Sequence, residues 1–419
     1  MRRESVIRRV RIAASSLGAL LLGFGLLSIP SAGAASASAP GVTATTVKVG
    51  ILGDLTGPAA STFQDAPQAI EARFKQINAA GGVNGRKITW TVADTTSSPS
   101  GAETAAKDLV QTQGAFLVAP DSALLFGGAP YLNQAGVPVL GYPVDGPEWY
   151  EQPNTNMFAF SGNDSPSIPG YTDGGFWKSL GAKKVSFVAS NTPSSTSGIN
   201  PFKDDMAKDG LSVCDDYVVP LGAVSFTTYA LGFKTAGCDA AECSCVLSSS
   251  LAMSTALRQQ GLTDVKLVYA AGPDNQIYAS SADEAAAKGA YFVGGNYSTP
   301  GGKAMLAGLK KYDPSYAGGV PDLATSSGWE VANLVIEGLQ VAGKNPTRQS
   351  LITNLRQVTG WTDDGLLPAA VSFVHFGVAP ATECSTYTQF VNNKFVPYPK
   401  SGKPFCGKLI PGSGTPPAT

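Results

Sequence analysis

Six cysteines and a single histidine limit the chemistry available to these side chains: Cys214, Cys238, Cys243, Cys245, Cys384, Cys406 and His375. Cys243-x-Cys245 offers two thiolates to a soft metal, but a structural zinc site takes four nitrogen or sulfur ligands. No second cysteine pair has ligand spacing, so no metal site is expected. A serine nucleophile needs a base within hydrogen-bond reach. The one histidine lies in an apolar, strand-like run, Val374-His375-Phe376, and reads as a packed structural residue. Gly-x-Gly-x-x-Gly and P-loop patterns are absent, and Gly294-Gly295 and Gly301-Gly302 are loop glycines without a phosphate-binding context. The carboxylate pairs Asp204-Asp205, Asp215-Asp216 and Asp363-Asp364 are expected on solvated turns, and nothing separates a proton donor from a base among them. The residues therefore predict neither an enzyme nor a bound cofactor.

The elements that would position these residues alternate between strand and helix. Val47, Val49 and Ile51 alternate as a strand that ends at Gly53-Asp54. Ile70, Phe74 and Ile77 recur at helical spacing until Gly81-Gly82, and Ile88, Trp90 and Val92 form the next strand. A helix around Ala105 to Val110, a strand at Ala115 to Ala119, a helix with Tyr131 and Leu132 and a strand at Val137 to Leu140 continue the series. The pattern restarts with strands at Val185 to Val188, Val213 to Val219, Cys243 to Leu247, Lys266 to Ala270 and Tyr291 to Val293. Strands separated by helices predict parallel sheets covered on both faces, and two such series predict two doubly wound α/β lobes. In that architecture ligands bind outside the carboxyl ends of the strands. Phe373 to Gly377 and Gln389 to Val396 read as further strands, the latter turning at Asn392-Asn393. Residues 408–419, rich in Gly, Pro, Ser and Thr, are expected to be disordered.

The start of the chain reads as an export signal. Arg2, Arg3, Arg8, Arg9 and Arg11 precede an apolar stretch from Ile12 to Ile29, and Ala32-Gly33-Ala34 and Ala35-Ser36-Ala37 both fit small-residue cleavage sites. Residues 1–34 are thus expected to be removed, with Sec and twin-arginine export both open. The remainder carries 25 basic and 30 acidic residues, which gives nucleic acid and anionic membranes no basic patch to bind. Its length of about 380 residues exceeds one comfortable core and predicts two domains. An even cysteine count in an exported chain reads as disulfides.

Val47 to Pro58 (VKVGILGDLTGP), Ile77 to Arg86 (INAAGGVNGR) and Ala135 to Leu140 (AGVPVL) resemble the branched-chain amino-acid-binding family of type 1 periplasmic binding proteins. The closing stretch, with Cys384, Tyr387-Thr388-Gln389, Asn393 to Val396 and Cys406, is similar to that family's C-terminal segment. The resemblance implies two Rossmann-like lobes joined by three crossovers, with the ligand between them. The implied boundaries are 45–163 with 299–372 for the first lobe and 164–298 with 373–407 for the second. The family's first-lobe cysteine pair falls at Ser97 and Asp121 here. A Cys384–Cys406 bridge tying the terminal strands is expected, while the pairing of Cys214, Cys238, Cys243 and Cys245 stays open.

By the same resemblance Ser122 matches a ligand-binding serine, and Pro143, Val144 and Asp145 match the segment that holds an amino acid. Asp145 stands where the family has Thr. Ser197 falls in a cleft-lining loop, Ser249 stands where the family often has Tyr, and Asp274 matches the acid that pairs with a ligand ammonium. A carboxylate at Asp145 favours a cation or hydroxyl donors, and the lost tyrosine enlarges the cleft. The implied function is an exported, monomeric solute-binding protein that delivers a small polar metabolite to an ABC transporter permease. A ligand-sensing module of the same fold is the alternative. The ligand is expected to carry a positive or multiply hydroxylated end read by Asp274, which stays near water until the cleft closes.

Overall fold

The computed structural model describes residues 39–144, 146–160, 170–378, 381–411 and 413. The expected signal segment, Asp145 and most of the expected disordered tail lie outside the described residues. Ordered chain extends further into that tail than expected, because the strand Phe405–Lys408 reaches Lys408 and Leu409 bridges to Tyr171.

The first sheet is parallel throughout. Its strands are β1 (Thr46–Gly53), β2 (Lys87–Asp94), β3 (Leu117–Asp121), β4 (Val139–Gly141) and β5 (Met157–Ala159), in the order β2-β1-β3-β4-β5. All five residues of β3 are buried, as a strand covered on both faces requires. One face packs Ile51, Phe116 and Leu140 against Ile70 and Phe74 of the helix Ala66–Ala79 and against Val335 and Leu339 of the helix Leu323–Ala342. The other face packs Leu52, Val118 and Val139 against Leu109, Leu132 and Trp149. The helix Leu323–Ala342 starts where Asp322 accepts a hydrogen bond from Thr325 N at 2.6 Å, satisfying one of its orphan N–H groups.

The second sheet contains seven strands, ordered β13-β12-β10-β9-β8-β6-β7. Five are parallel: β6 (Lys184–Ser190), β7 (Ser212–Val219), β8 (Ala240–Ser244), β9 (Lys266–Tyr269) and β10 (Tyr291–Val293). An antiparallel hairpin of β12 (Tyr387–Val391) and β13 (Lys394–Tyr398) extends the edge beside β10. Asn392 and Asn393 turn it with φ of 51° and 55°, the left-handed pair that a two-residue hairpin needs. A separate ribbon pairs β11 (Thr382–Ser385) with β14 (Phe405–Lys408), with Cys384 opposite Cys406. Those two cysteines form a disulfide, as do Cys214–Cys238 and Cys243–Cys245. The chain passes between the sheets after β5, after β10 and before β11, which makes three crossovers.

Three local expectations are corrected. The strand expected from Cys243 to Leu247 runs instead from Ala240 to Ser244, and Leu247 opens the helix Leu247–Gln259. A short apolar run serves as strand end or helix start equally well, and here Val246, extended at φ −62° and ψ 156°, makes the switch. Phe373 to Gly377 is not a strand: Val378 N bonds to His375 O, closing a turn. His375 is exposed in that turn, not packed in a core.

Candidate functional site

A cavity of about 400 Å³ lies beyond the carboxyl ends of both sheets. Ala123 and Tyr142, which follow β3 and β4, reach it from the first sheet, with Thr62, Phe63, Val144 and Leu323. Ser190 at the end of β6, Ser244 at the end of β8 and Ala270 after β9 reach it from the second. In each sheet this is where connections diverge to opposite sides, β1 lying between β2 and β3 and β6 between β7 and β8. Such switch points leave a crevice that side chains do not fill. The crossovers close the remaining wall with Tyr171, Asp173, Glu383, Ser385, Phe405 and Gly407. The two crossover strands lie so close that a Cβ on Gly407 would stand 1.5 Å from Thr172 O, so only glycine fits there.

The lobes touch across the cavity mouth. Leu247 N, an orphan donor at the start of the helix Leu247–Gln259, bonds to Thr62 Oγ1 of the first lobe at 3.1 Å. Gln276 Nε2 donates to Ser61 O at 3.1 Å. A second cavity of about 520 Å³ meets the first at Tyr142, Val293, Glu383 and Ser385 and is walled by Trp149, Phe158 and Phe373. Its Arg356 guanidinium lies 4.0 Å over the Phe158 ring and donates to Phe373 O, Thr155 O and Met157 O.

The electrostatics of the main cavity come from carboxylates. Asp173, Asp205, Glu242 and Glu383 line it, and among the described residues no Lys, Arg or His does. Burial, then the neighbouring Asp173, pushes the Asp205 carboxyl up to about 8 and the Glu242 carboxyl up to about 7. Burial also holds the Tyr387 phenol well above its usual range, reinforced by these four carboxylates. Asp173 is raised by burial, although Trp177 N and Gly175 N oppose the shift at 2.6 and 2.7 Å. Asp173, Asp205 and Asp209 bring one oxygen each within 4.8 Å of one another, close enough for a cation. Asp209 already pairs with Lys178 at 3.4 Å. The solvated placement expected for the aspartate pairs is thus corrected in two cases: Asp205 is 6% exposed and Asp363 fully buried, while Asp215 and Asp216 are exposed. Each buried aspartate sits where another element covers it, which adjacency in sequence does not encode.

The expected ligand residues divide by position. Val144 lines the cavity, and Pro143 is buried beside it. Ser122 is 1% exposed, with its hydroxyl donating to Asp54 Oδ1 at 2.6 Å and accepting from Leu124 N at 3.0 Å. Ser197 donates to Ser194 O at 2.9 Å within the short helix Pro193–Ser197. Ser194, Ser195 and Gly198 of the same stretch line the cavity. Ser249 is fully buried one turn behind Cys245 and Val246, which do line it. Asp274 is 5% exposed and caps the turn Asn275–Ala279 by accepting from Gln276 N at 2.6 Å. Burial, then Asp322, raises its carboxyl to about 7. Sequence reasoning missed Asp173, Asp205 and Glu242. Glu242 alone left a signal, as an isolated carboxylate in the apolar run Ala240-Ala241-Glu242-Cys243.

Two doubly wound lobes, three crossovers and a solute-sized cavity between strand ends define a two-lobed binding protein. The chain belongs to the periplasmic binding protein family, which matches residues 46–389 and is a family of binding proteins rather than enzymes. Leu/Ile/Val-binding protein homolog 3 of Brucella melitensis is 25% identical over 195 residues, covering 46% of this chain and 52% of that relative. The match thus spans about half of that relative's length. Three solved structures share the fold. An ABC transporter solute-binding protein from R. palustris in complex with benzoate has a TM-score of 0.71 at 16% identity, covering 88% of this chain and 99% of that one. A fatty acid ABC transporter substrate-binding protein from Thermomonospora curvata has a TM-score of 0.71 at 20% identity, covering 88% and 94%. The branched-chain amino acid transporter substrate-binding protein LivJ from Streptococcus pneumoniae, in complex with isoleucine, has a TM-score of 0.67 at 18% identity, covering 84% and 98%.

Proposed function

We propose that this chain is an exported receptor that encloses a small solute between its lobes and delivers it to an ABC transporter permease. The observation that carries the reading is the cavity of about 400 Å³ built jointly by both lobes and the crossovers. That volume falls within the range of about 300–1,000 Å³ usual for small-molecule sites. Hinge closure follows from the same geometry, because a ligand touching both lobes stabilises the closed form by its differential contacts. Thr62 supports closure directly, since it caps a helix of the opposite lobe. Three disulfides agree with a chain that works outside the reducing cytoplasm.

Among the residues expected at the ligand, Val144 carries the reading furthest because it reaches the cavity, with Pro143 fixing its backbone. Ser122 and Asp274 act from behind, holding the loops that face the solute. The test is a thermal-shift screen of the purified mature chain against a metabolite panel, repeated on Ser194→Trp, which fills the cavity. A ligand at 100 times its dissociation constant stabilises the fold by about 2.7 kcal/mol. A hit that Ser194→Trp abolishes supports the reading, and hits that survive it place binding elsewhere.

A further inference from the structure

The cavity carries an uneven charge that selects its occupant. Its four carboxylates all belong to the second lobe or the crossovers, and no described lining residue is basic. Residues 145, 161–169 and 379–380 contain no Lys, Arg or His in the sequence either. Arg356, which lines the adjoining cavity, is committed to three backbone carbonyls and two phenylalanine rings. A ligand carboxylate placed here would find no countercharge among the described lining residues.

Polar groups in the same cavity lack partners. Glu242, only partly buried where it meets the cavity, makes no hydrogen bond or ion pair among the described residues. Asp205, 6% exposed, accepts one hydrogen bond, from Asp173 N to Oδ1 at 3.0 Å, and its second oxygen accepts none. Ser190, 1% exposed at the end of β6, has a hydroxyl with no partner at all. Buried polar groups are ordinarily satisfied, so a cluster of unsatisfied acceptors around one void marks the place of a missing donor. Aromatic rings complete the surroundings: Phe187 and Phe202 pack at 4.8 Å and line the cavity together with Tyr387 and Phe405. Ring faces and carboxylates both attract an ammonium group.

Resting on the reading of this cavity as the ligand site, we propose that its solute is an organic amine with an apolar or aromatic body and no carboxylate. The ammonium sits at Asp205 and Glu242, with Ser190 accepting from the ligand, and the body lies against Phe187, Phe202 and Tyr387. A metal ion fits less well. Asp173 is engaged by two backbone N–H groups and Asp209 by Lys178, so ligation would compete with two backbone hydrogen bonds and an ion pair. The proposal moves the cationic end of the solute from Asp274, which faces Asp322 and Asp65, to the floor of the second lobe.

Calorimetric titration of the mature chain with two matched series tests this: phenethylamine, phenylalanine and 3-phenylpropionate, and 3-methylbutylamine, leucine and 4-methylpentanoate. The expected result is that an amine binds at least tenfold more tightly than its amino acid and its acid. Glu242→Gln and Asp205→Asn should each weaken the amine tenfold or more and leave the acid no weaker. Tighter binding of an amino acid or acid, failure of every amine to bind, or amine affinity unchanged in both variants overturns the assignment. So does stabilisation by calcium chloride alone that Asp205→Asn abolishes. An anionic solute whose binding Ser194→Trp removes would overturn the amine while leaving the interlobe site in place. Amine binding that survives Ser194→Trp would instead overturn the site itself.

Discussion

Asp54 in the first lobe and Asp205 and Glu242 in the second are carboxylates held in opposite ways. In the first lobe Asp54 is fully buried and accepts from Ser122 Oγ at 2.6 Å, from Ala123 N at 2.8 Å and from Thr95 Oγ1. In the second, Asp205 accepts once and Glu242 not at all, and both face a void. Burial raises the carboxyl in every case, but around Asp54 three donors pull it back. Burial of an acid therefore does not identify a binding group. A missing donor identifies one only where the carboxylate also faces the cavity, since Asp363 accepts no hydrogen bond on either oxygen and does not line it.

The sharpest way to break this contrast is Asp54→Ala. It strands buried donors, each costing about 1–3 kcal/mol when left without an acceptor, so the loss should exceed roughly 3 kcal/mol in urea denaturation. A loss below 1 kcal/mol would mean that Asp54 is no more structural than Glu242.

A middle-sized effect separates the lobes by pH. A carboxyl whose folded value is raised stabilises the fold below its unfolded value near 4, and that contribution is lost as pH rises through the folded value. For Asp205 at about 8 and Glu242 at about 7, the loss falls between roughly pH 4 and pH 8. The melting temperature of the ligand-free chain should accordingly fall from pH 5 to pH 8. Asp205→Asn and Glu242→Gln should flatten that fall and gain on the order of 1–2 kcal/mol at pH 8. Variants less stable than the parent at pH 8 would show that these acids have partners after all.

The smallest effect tests the serine expected at the ligand. Ser122→Ala removes one donor to Asp54 and should lower stability by about 1 kcal/mol while changing solute affinity less than twofold (roughly 0.4 kcal/mol). A tenfold loss of affinity with unchanged melting would return Ser122 to the solute.

Much of the scaffold was legible because it rests on local periodicity. The alternation at Val47, Val49 and Ile51, the helical spacing of Ile70, Phe74 and Ile77 and the Asn392-Asn393 turn each declare their element within a few residues. Phe373 to Gly377 and Cys243 to Leu247 misled because short apolar runs fit more than one backbone path, and tertiary packing chose between them. The acidic floor was least legible. Asp204 and Asp205 are neighbours of the same type, yet the helix Ile199–Asp209 turns only Asp205 into the cavity. Asp173 comes from a crossover and Glu242 from the middle of β8, so their meeting depends on the whole lobe.

The ribbon of β11 and β14 has a consequence for survival among proteases. Lys400 and Lys403 are exposed in the loop that precedes β14, and Lys403 is shielded from trypsin-like cleavage by Pro404. A cut after Lys400 would free the segment carrying Phe405 and Gly407, both of which wall the cavity. Cys406 keeps that segment attached to Cys384, and Ile410 N holds it to Gly170 O at 2.9 Å. A nicked molecule thus keeps that segment covalently tethered while its surroundings stay oxidising, and once the disulfide is reduced only the β11–β14 pairing and such backbone hydrogen bonds hold the wall in place.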